Sequence, residues 1–179
     1  MAGDRPFTTV AFVAASLDGY TARADGDIQW IAEHAEQAWD ASYSDFAADV
    51  DTHVMGRGTY EMALTLGQWP FAGKRVAVLS TRLPPGSDPR VTVHRDLGAL
   101  VKDLAESGAR RVCVDGGKGI ETCLRAGLLD ELTVTTLPIL LGGGLPLSGA
   151  LDDDVSLTHR STRVLGTGLV QSTYTVDGH

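Results

Sequence analysis

Residues 111–120 read Arg-Val-Cys-Val-Asp-Gly-Gly-Lys-Gly-Ile, and this stretch indicates the fold class of the chain. Its first part, Arg111 to Val114, predicts a buried strand, and Ile120 to Ala126 predicts a helix. A strand that enters a helix through a glycine-rich turn is typical of parallel sheets, which bind ligands beyond the carboxyl ends of their strands. Strands and helices alternate along most of the remaining chain, so we predict an α/β domain with a mainly parallel sheet.

The other predicted elements lie on both sides of this stretch. Further strands are predicted at Phe7–Ala15, Thr52–Met55, Arg75–Leu79, Val91–His94, Glu131–Pro138, Val155–Val164 and Leu169–Val176. Helices are predicted at Trp30–Val50, Gly58–Leu64 and Leu97–Glu106, and Leu141–Leu147 is predicted to be a loop. Only a turn at 166–168 separates the last two strands, so we expect an antiparallel pair at that edge of the sheet.

Length and composition restrict the class of protein. A chain of 179 residues suits one domain, so we predict a single domain over 1–179 with flexible ends at about 1–6 and 177–179. The net charge of −8 argues against a nucleic-acid partner. No apolar run is long enough to cross a membrane, and we expect no secretory leader because residues 1–6 lack an apolar core. The two cysteines form neither a disulfide framework nor a zinc pattern, and we expect a cytoplasmic location.

Two more turns follow predicted strands at the same edge of the sheet. In residues 55–61, Gly56 and Gly58 permit close approach to a phosphate, and Arg57 supplies a guanidinium that suits one. Residues 79–82, Leu-Ser-Thr-Arg, place two hydroxyls and a cation beyond a strand, which suits a ribose 2′-phosphate. A capped strand-to-helix turn and an ordinary polar loop are the alternative interpretations.

The third turn is Asp115-Gly116-Gly117-Lys118-Gly119-Ile120 itself. A double glycine that opens a helix can hold a pyrophosphate, although neither the Rossmann fingerprint nor the Walker A spacing is present. Because the three turns share one edge of the sheet, their combination predicts a phosphorylated dinucleotide laid across the carboxyl ends of the strands. The Gly142–Gly144 run precedes no helix and is interpreted as a loop or bulge.

The order and spacing of these motifs resemble the dihydrofolate-reductase-like superfamily, in particular the C-terminal reductase domain of the bifunctional riboflavin-biosynthesis deaminase-reductase and its stand-alone relatives. The resemblance is carried by residues 15–22, 55–61, 79–82, 115–117, 126–132 and 138–143. It implies a three-layer α/β/α sandwich whose mixed, mainly parallel sheet ends in antiparallel C-terminal strands. It also implies an NADPH-dependent reductase of a small heterocycle or of its ring-opened sugar adduct, and a homodimer.

The resemblance also implies roles for individual residues. By this resemblance, Gly56, Arg57 and Thr59 contact the cofactor phosphates. The pocket for the adenosine 2′-phosphate consists of Leu79, Ser80, Thr81 and Arg82. The pyrophosphate and nicotinamide cradle falls on Gly116, Gly117, Lys118, Gly119 and Ile120. Backbone groups of Ala14 and Thr21 are implied to hold the nicotinamide amide.

The substrate side departs from the riboflavin reductases. Residues 26–31, Gly-Asp-Ile-Gln-Trp-Ile, keep the tryptophan of that loop but lack its cation and carry Asp27. An acidic loop repels a phosphorylated substrate, so we expect a substrate other than the riboflavin intermediate. In dihydrofolate reductases the first helix carries a carboxylate that binds the pterin. Distance from residue 55 places Asp40 near that point, with Asp45 and Glu36 as competitors and a solvated helix residue as the alternative.

The remaining candidates are assigned from residue type and position. Asp18 is predicted to anchor its loop or to orient substrate, or to be a plain turn residue. Trp30 is predicted to stack on a planar substrate or to pack in the core. The five histidines show no metal-ligand spacing, and we predict no metal site. Two other functions are kept open, an NADPH-binding sensor or scaffold without turnover and a flavin-using reductase.

Overall fold

The computed structural model describes residues 5–34, 37–166 and 168–177, except that the side chains of residues 37–40 lie outside the description. The strands are β1 (Thr8–Ser16), β2 (Tyr20–Ala22), β3 (Thr52–Gly56), β4 (Arg75–Leu79), β5 (Thr92–His94), β6 (Arg111–Asp115), β7 (Glu131–Leu137), β8 (Leu145–Pro146), β9 (Leu157–Leu165) and β10 (Leu169–Val176). The helices are α1 (Gln29–His34), α2 (Gln37–Ala48), α3 (Arg57–Leu64), α4 (Leu97–Glu106) and α5 (Gly117–Arg125).

Eight strands form one sheet in the order β5-β4-β3-β6-β1-β7-β10-β9. The first six are parallel, and β10 runs antiparallel to both of its neighbours. The prediction of a mainly parallel sheet with antiparallel C-terminal strands is therefore confirmed. The carboxyl ends of β4, β3, β6, β1 and β7 lie along one edge, because parallel strands end on the same side.

Helices cover both faces of the sheet and make the three layers. On one face, Leu100, Leu104 and Ile120 of α4 and α5 pack against strand residues such as Val112. The opposite face is covered by α1, α2 and α3, through clusters that include Trp30, Phe46, Tyr60 and Ala63. Burial of apolar side chains on both faces is what allows parallel strands to read as nearly continuous apolar runs.

Most predicted bounds agree with the structure to within one or two residues, and four regions differ. Residues 20–22, for which no strand is predicted, form β2. Residues 145–146 of the predicted loop 141–147 form β8, which pairs with β2 as a separate two-stranded sheet. Helix α5 begins at Gly117, three residues before the predicted start. The helix predicted at 30–50 is described as α1 and α2, on either side of residues 35–36, which lie outside the described residues.

The sheet opens between β1 and β6 at its carboxyl edge. Paired positions of these two strands stop at Val10 and Cys113. The flanking pairs continue further, to Met55 with Asp115 on one side and to Ser16 with Leu137 on the other. The ends of β1 and β6 are therefore the two walls of a gap, which is the position at which open α/β sheets bind their ligands.

The predicted flexible ends and the membrane prediction concern the periphery of the fold. Residues 1–4 and 178–179 lie outside the described residues. Within the described residues, no helix has both the length and the apolar character needed to cross a bilayer.

Candidate active site

The three turns predicted to bind phosphate lie next to one another. Gly56 at the end of β3 is in register with Leu79 at the end of β4, and Met55 is in register with Asp115 at the end of β6. An open cleft with an empty volume of about 370 Å³ lies between these ends and α5, and its lining includes Gly56, Leu79, Lys118 and Gly119. The structure thus brings together residues from three separate segments of the chain.

Gly116 is the tightest point of this cluster. Its φ of +86° is unfavourable for any residue with a side chain, and a Cβ placed there would come 2.3 Å from the hydroxyl oxygen of Thr59. A Cβ on Gly117 would come 3.4 Å from the hydroxyl oxygen of Thr21. The side chains of Thr59 and Thr21 therefore lie directly against the backbone of Gly116 and Gly117, which have no side chains of their own.

Two helices begin at this place without a capping side chain. The N-cap residues are Gly56 for α3 and Gly116 for α5, and neither offers a side-chain oxygen to the first turn. In contrast, α4 begins at the same edge with Asp96, whose carboxylate accepts a 2.8 Å hydrogen bond from the amide of Ala99. The first-turn amides of α3 and α5 are left for an anionic group, since helix N-termini attract negative charge.

The predicted cations stand around these helix ends. Arg57 donates a 3.0 Å hydrogen bond to Glu61, and Lys118 donates 3.0 Å bonds to both carboxylate oxygens of Glu121. Arg57 and Glu61 are both exposed, and an exposed pair within a helix contributes little stability, so Arg57 can turn to another anion. Glu121 is largely buried, but it also pairs with Arg125, so the exposed amine of Lys118 is not its sole partner.

The turn after β4 is ordered by its own serine. The Ser80 hydroxyl oxygen accepts hydrogen bonds from the amides of Arg82 and Leu83, at 3.1 and 3.0 Å. Arg95 donates to the carbonyl of Thr81 and fixes the same turn from the other side. Among the described residues, no carboxylate lies within ion-pair distance of the Arg82 guanidinium, which stands exposed at the end of this turn.

Asp18 holds two loops together. Its carboxylate accepts a 2.6 Å hydrogen bond from the hydroxyl of Ser16 and bonds from the amides of Leu141 and Gly142, at 3.0 and 2.7 Å. The Ser16 bond, followed by those backbone amides, lowers the pKa of Asp18 to about 2. At neutral pH Asp18 is an ionised acceptor that positions the loop at 138–142, which fits its predicted anchoring role.

Trp30 lies inside the protein. Its side chain packs with Ala14, Leu137, Leu165 and Leu169, and it is 1% exposed. Its indole Nε1 has no hydrogen-bond partner among the described residues. The core-packing interpretation accounts for this position, and stacking on a substrate would need the side chains around the ring to move.

The carboxylate predicted on the first helix is not located. Asp40 is a residue of α2, but its side chain lies outside the described residues, as does Glu36 as a whole. Asp45 is described and is exposed. The predicted role of Asp40 toward a substrate stays a prediction.

The acidic loop contains a cation that sequence reasoning missed. Asp27 is predicted to repel a phosphorylated substrate, but the guanidinium of Arg23 lies 3.5 Å from its carboxylate. The two residues also share a backbone bond, because the amide of Arg23 donates to the carbonyl of Asp27 at 2.9 Å. The four-residue spacing between Arg23 and Asp27 is the sequence feature that could have predicted this ion pair. This loop is less acidic than its sequence suggests, since the pair has no net charge.

A buried cluster beneath the glycine turn was also missed. His53 on β3 lies 2.7 Å from the Asp115 carboxylate through Nδ1, and the Cys113 thiol lies 3.7 Å from the other carboxylate oxygen. Their ligand-type atoms all lie within 4.8 Å of one another. The residues are up to 62 positions apart, so only the strand register His53–Cys113 brings them together.

The fold and its sequence motifs are shared with known proteins. A sequence profile of the RibD C-terminal domain matches residues 8–171. The chain belongs to this family. The YwjB protein of Bacillus subtilis (strain 168) is 32% identical over 161 residues, which is 88% of this chain and 92% of that protein. The riboflavin biosynthesis protein RibD of Corynebacterium ammoniagenes is 29% identical over 183 residues, and the match covers 90% of this chain and 53% of RibD.

Solved structures agree with the RibD C-terminal domain assignment. One crystal structure is that of a Shewanella sp. PV-4 protein described under riboflavin biosynthesis. It matches with a TM-score of 0.85 at 34% identity, and the match covers 96% of this chain and 99% of that protein. A deaminase/5-amino-6-(5-phosphoribosylamino)uracil reductase of Thermotoga maritima has the same fold, with a TM-score of 0.72 at 16% identity, covering 97% of this chain and 57% of its own. The dihydrofolate-reductase-like fold is confirmed, and family membership supports a reductase of the riboflavin-pathway type.

Proposed function

We propose that this protein is an NADPH-dependent reductase of a small heterocycle or of its sugar adduct, acting in the cytoplasm. The observation that carries the proposal is the pair of uncapped helices, α3 and α5, which begin side by side at a bare glycine backbone. Backbone amides without side-chain caps are the groups that bind the pyrophosphate of a dinucleotide. The family supports the same class of reaction.

The residues present fit the cofactor. A Cβ at Gly116 would overlap the hydroxyl of Thr59, so glycine allows Thr59 to lie directly against the start of α5, where a pyrophosphate would bind. We assign the phosphate contacts to Gly56, Arg57, Thr59, Gly116, Gly117, Lys118, Gly119 and Ile120. We assign the nicotinamide amide to backbone groups of Ala14 and Thr21, which lie on the β1 side of the gap.

Preference for NADPH over NADH is assigned to the turn after β4. Leu79, Ser80, Thr81 and Arg82 would surround the 2′-phosphate. The Arg82 guanidinium stands exposed with no carboxylate in reach among the described residues, so a phosphate would become its partner. A guanidinium and hydroxyls together bind phosphate more strongly than either alone.

Reduction needs a hydride, which NADPH supplies from nicotinamide C4 when it is bound. The chain has to orient the acceptor carbon and to exclude water around it. Asp18 positions the loop at 138–142, and we propose Asp18 and Asp40 as groups around the substrate. Trp30 packs in the core and would support the site from below. We propose a substrate without a phosphate, because Arg23, the cation of this loop, is already paired with Asp27.

The test is thermal unfolding with NADPH and with NADH at equal concentration. A ligand at about 100 times its Kd stabilises the folded protein by about 2.7 kcal/mol, so binding is readily seen. We expect a large rise in the unfolding temperature with NADPH and a small one with NADH. The variant Arg82→Gln should remove the difference, whereas Arg110→Gln, at an exposed position before β6 and away from the site, should keep it. If neither nucleotide raises the unfolding temperature, the proposal is wrong.

We also propose that the protein forms a homodimer through β9. This strand lies at the edge of the sheet, no described strand pairs with its second backbone edge, and residues 157–164 are all exposed. Exposed edge strands pair readily with a second copy of the same strand. Light scattering should give the mass of two chains, and Val164→Lys should reduce it to one.

A further inference from the structure

His53 and Asp115 form a hydrogen-bonded pair at the base of the proposed site. The His53 side chain is 3% exposed and the Asp115 side chain is 17% exposed, with 2.7 Å between Nδ1 and Oδ2. Phe71 packs against the imidazole with 4.6 Å between ring centroids. The histidine is therefore enclosed, and the carboxylate is the end of the pair that reaches solvent.

The exposed end of the pair lies at the gap in the sheet. Asp115 is the last residue of β6, directly before Gly116, and β1 no longer pairs with β6 at this level. His53, Cys113 and Asp115 share the face of the sheet that α2 covers. Ala14 lies on that same face of β1, across the gap. A substrate that reached the nicotinamide from this face would lie against the Asp115 carboxylate.

The groups that face the pair are weak acids or already paired. From α2, Tyr43 lies near Asp115, and burial together with the Asp115 charge raises the pKa of its hydroxyl. From β6, burial raises the pKa of the Cys113 thiol. Arg111, on the same face, donates a 2.9 Å hydrogen bond to Glu131 on β7. Among the residue types of this cluster, histidine is the one whose ordinary pKa lies near neutral pH, so we assign the proton to His53.

Reduction of a C=N or C=O bond needs a proton as well as a hydride. Asp18 holds no proton near neutral pH, because its hydrogen bonds from Ser16 and from two backbone amides lower its pKa to about 2. A different group must therefore deliver the proton, and it must reach the gap between β1 and β6.

We propose that the His53–Asp115 pair is the proton source of the reduction, with the proton held on His53 and passed to the substrate through the Asp115 carboxylate. This inference rests on the proposed function. While the acceptor carbon receives the hydride, its π electrons move to the neighbouring nitrogen or oxygen, and that atom takes the proton. The Nδ1–H bond of His53 breaks, an N–H or O–H bond forms on the product, and water then returns a proton to the pair. Asp115 contacts the substrate, and His53 is a positioning residue that acts through it.

Three variants test this step. His53→Gln keeps a donor beside Asp115 but cannot release a proton, and Asp115→Asn breaks the path to the substrate. His94→Gln is the matched control, because His94 is a second enclosed histidine beside a carboxylate, 3.3 Å from Asp103 on α4. NADPH oxidation is followed with 5-amino-6-(5-phosphoribosylamino)uracil, its unphosphorylated analogue and dihydrofolate.

We expect His53→Gln to lower kcat about 100-fold, the usual contribution of a positioned general acid. KM and the Kd for NADPH should change less than about twofold, because the variant keeps the hydrogen bond at Asp115. We expect kcat of the wild type to fall with rising pH, and this fall should disappear in the variant. His94→Gln should retain the wild-type kcat and pH profile.

A second readout does not depend on turnover. 5,6-Diaminouracil is titrated into the NADPH complex in buffers of different ionisation enthalpy. Covering Asp115 removes water from the pair, which favours its form without net charge, so the wild type should take up a fraction of a proton on binding. His53→Gln should bind the probe without proton uptake.

The outcomes separate the two proposals. Suppose that the wild type reduces a probe and His53→Gln keeps the wild-type kcat and pH profile, or that the wild type and His53→Gln take up the same number of protons on binding. Either result would show that the pair is not the proton source, and the reductase assignment would stand. If NADPH produces no stabilisation and no probe is reduced, both proposals are wrong.

Discussion

The hydroxyl of Tyr60 donates a 2.9 Å hydrogen bond to the carboxylate of Asp88. This bond joins α3, which carries the proposed contacts to the cofactor phosphates, to the loop that carries the proposed 2′-phosphate contacts. Asp88 is buried, and a two-point contact with Arg90 holds the pKa of its carboxylate well below its usual range. Arg90 in turn lies over the ring of Trp69, at 4.4 Å from its centroid.

The Tyr60–Asp88 bond is expected to set the distance between the two phosphate sites. Tyr60→Phe should cost about 1 kcal/mol of folding stability, because it leaves a buried carboxylate short of one donor. Since the loop is then held less firmly, NADPH binding should weaken by roughly fivefold, or about 1 kcal/mol, with little change for NADH. Chemical denaturation and fluorescence titration measure the two effects. Tyr174→Phe on β10 is the control, and an unchanged ratio of the two affinities would contradict the prediction.

Gly116→Ala should damage both folding and cofactor binding. The substitution places a Cβ at positive φ and 2.3 Å from Thr59, so a backbone shift is unavoidable. We expect a loss of about 1–3 kcal/mol of stability, in the range typical of strained backbone positions. NADPH should no longer stabilise the variant.

Gly73→Ala separates the two causes of that loss. Gly73 has a φ of +77°, but a Cβ placed on it would have open space within 4 Å. Its substitution should therefore cost only the φ strain and should leave NADPH binding intact. Equal losses of stability at both glycines would argue against the close contact with Thr59.

Asp18 makes stability depend on pH in a defined window. Its folded-state pKa of about 2 lies below the ordinary value of 3.8, so its contribution is complete above about pH 4 and is lost as the pH falls toward 2. Asp18→Asn should unfold at a lower temperature than the wild type near neutral pH, and the difference should shrink as the pH falls through this range. Thermal unfolding between pH 7 and pH 2 measures it. A difference that is constant with pH would assign the effect to lost backbone contacts alone.

The Arg23–Asp27 pair gives a prediction about substrate charge. Arg23→Gln leaves Asp27 unpaired, so turnover of 5-amino-6-(5-phosphoribosylamino)uracil should fall relative to that of its unphosphorylated analogue. Asp27→Asn frees the cation and should change this ratio in the opposite direction. The effects should weaken in high salt, since both side chains are partly exposed. If both variants change the ratio in the same direction, the charge of this loop does not select the substrate.

Sequence periodicity was sufficient for the sheet and its covering helices. The bounds of β4, α4 and β10 agree with the prediction because their apolar patterns and end signals are clear. The two-residue strand β8 has no period that a pattern can reveal. The predicted start of α5 is too late, because Gly-Lys-Gly reads as a turn and contributes no apolar face.

The sequence predicts those site residues that lie close together along the chain and does not predict contacts between residues far apart along it. Turns that directly follow strands were found, since parallel strands bring their carboxyl ends together. Contacts between side chains of different strands were not found, because they depend on register. The sequence gives little support to His53 as a catalytic acid, as no pattern connects it with Asp115 on a strand that starts 58 residues later.

The two-stranded sheet of β2 and β8 has a consequence for the rate of ligand exchange. β2 lies in the segment after β1, and β8 lies in the segment after β7. Thr21 of β2 and the carbonyl of Pro146 of β8 both lie next to Gly117. They are fastened twice, by the β2–β8 pairing and by the bonds from Leu141 and Gly142 to Asp18. Because the two segments are tied to each other beside the glycine turn, we expect them to move together when product leaves.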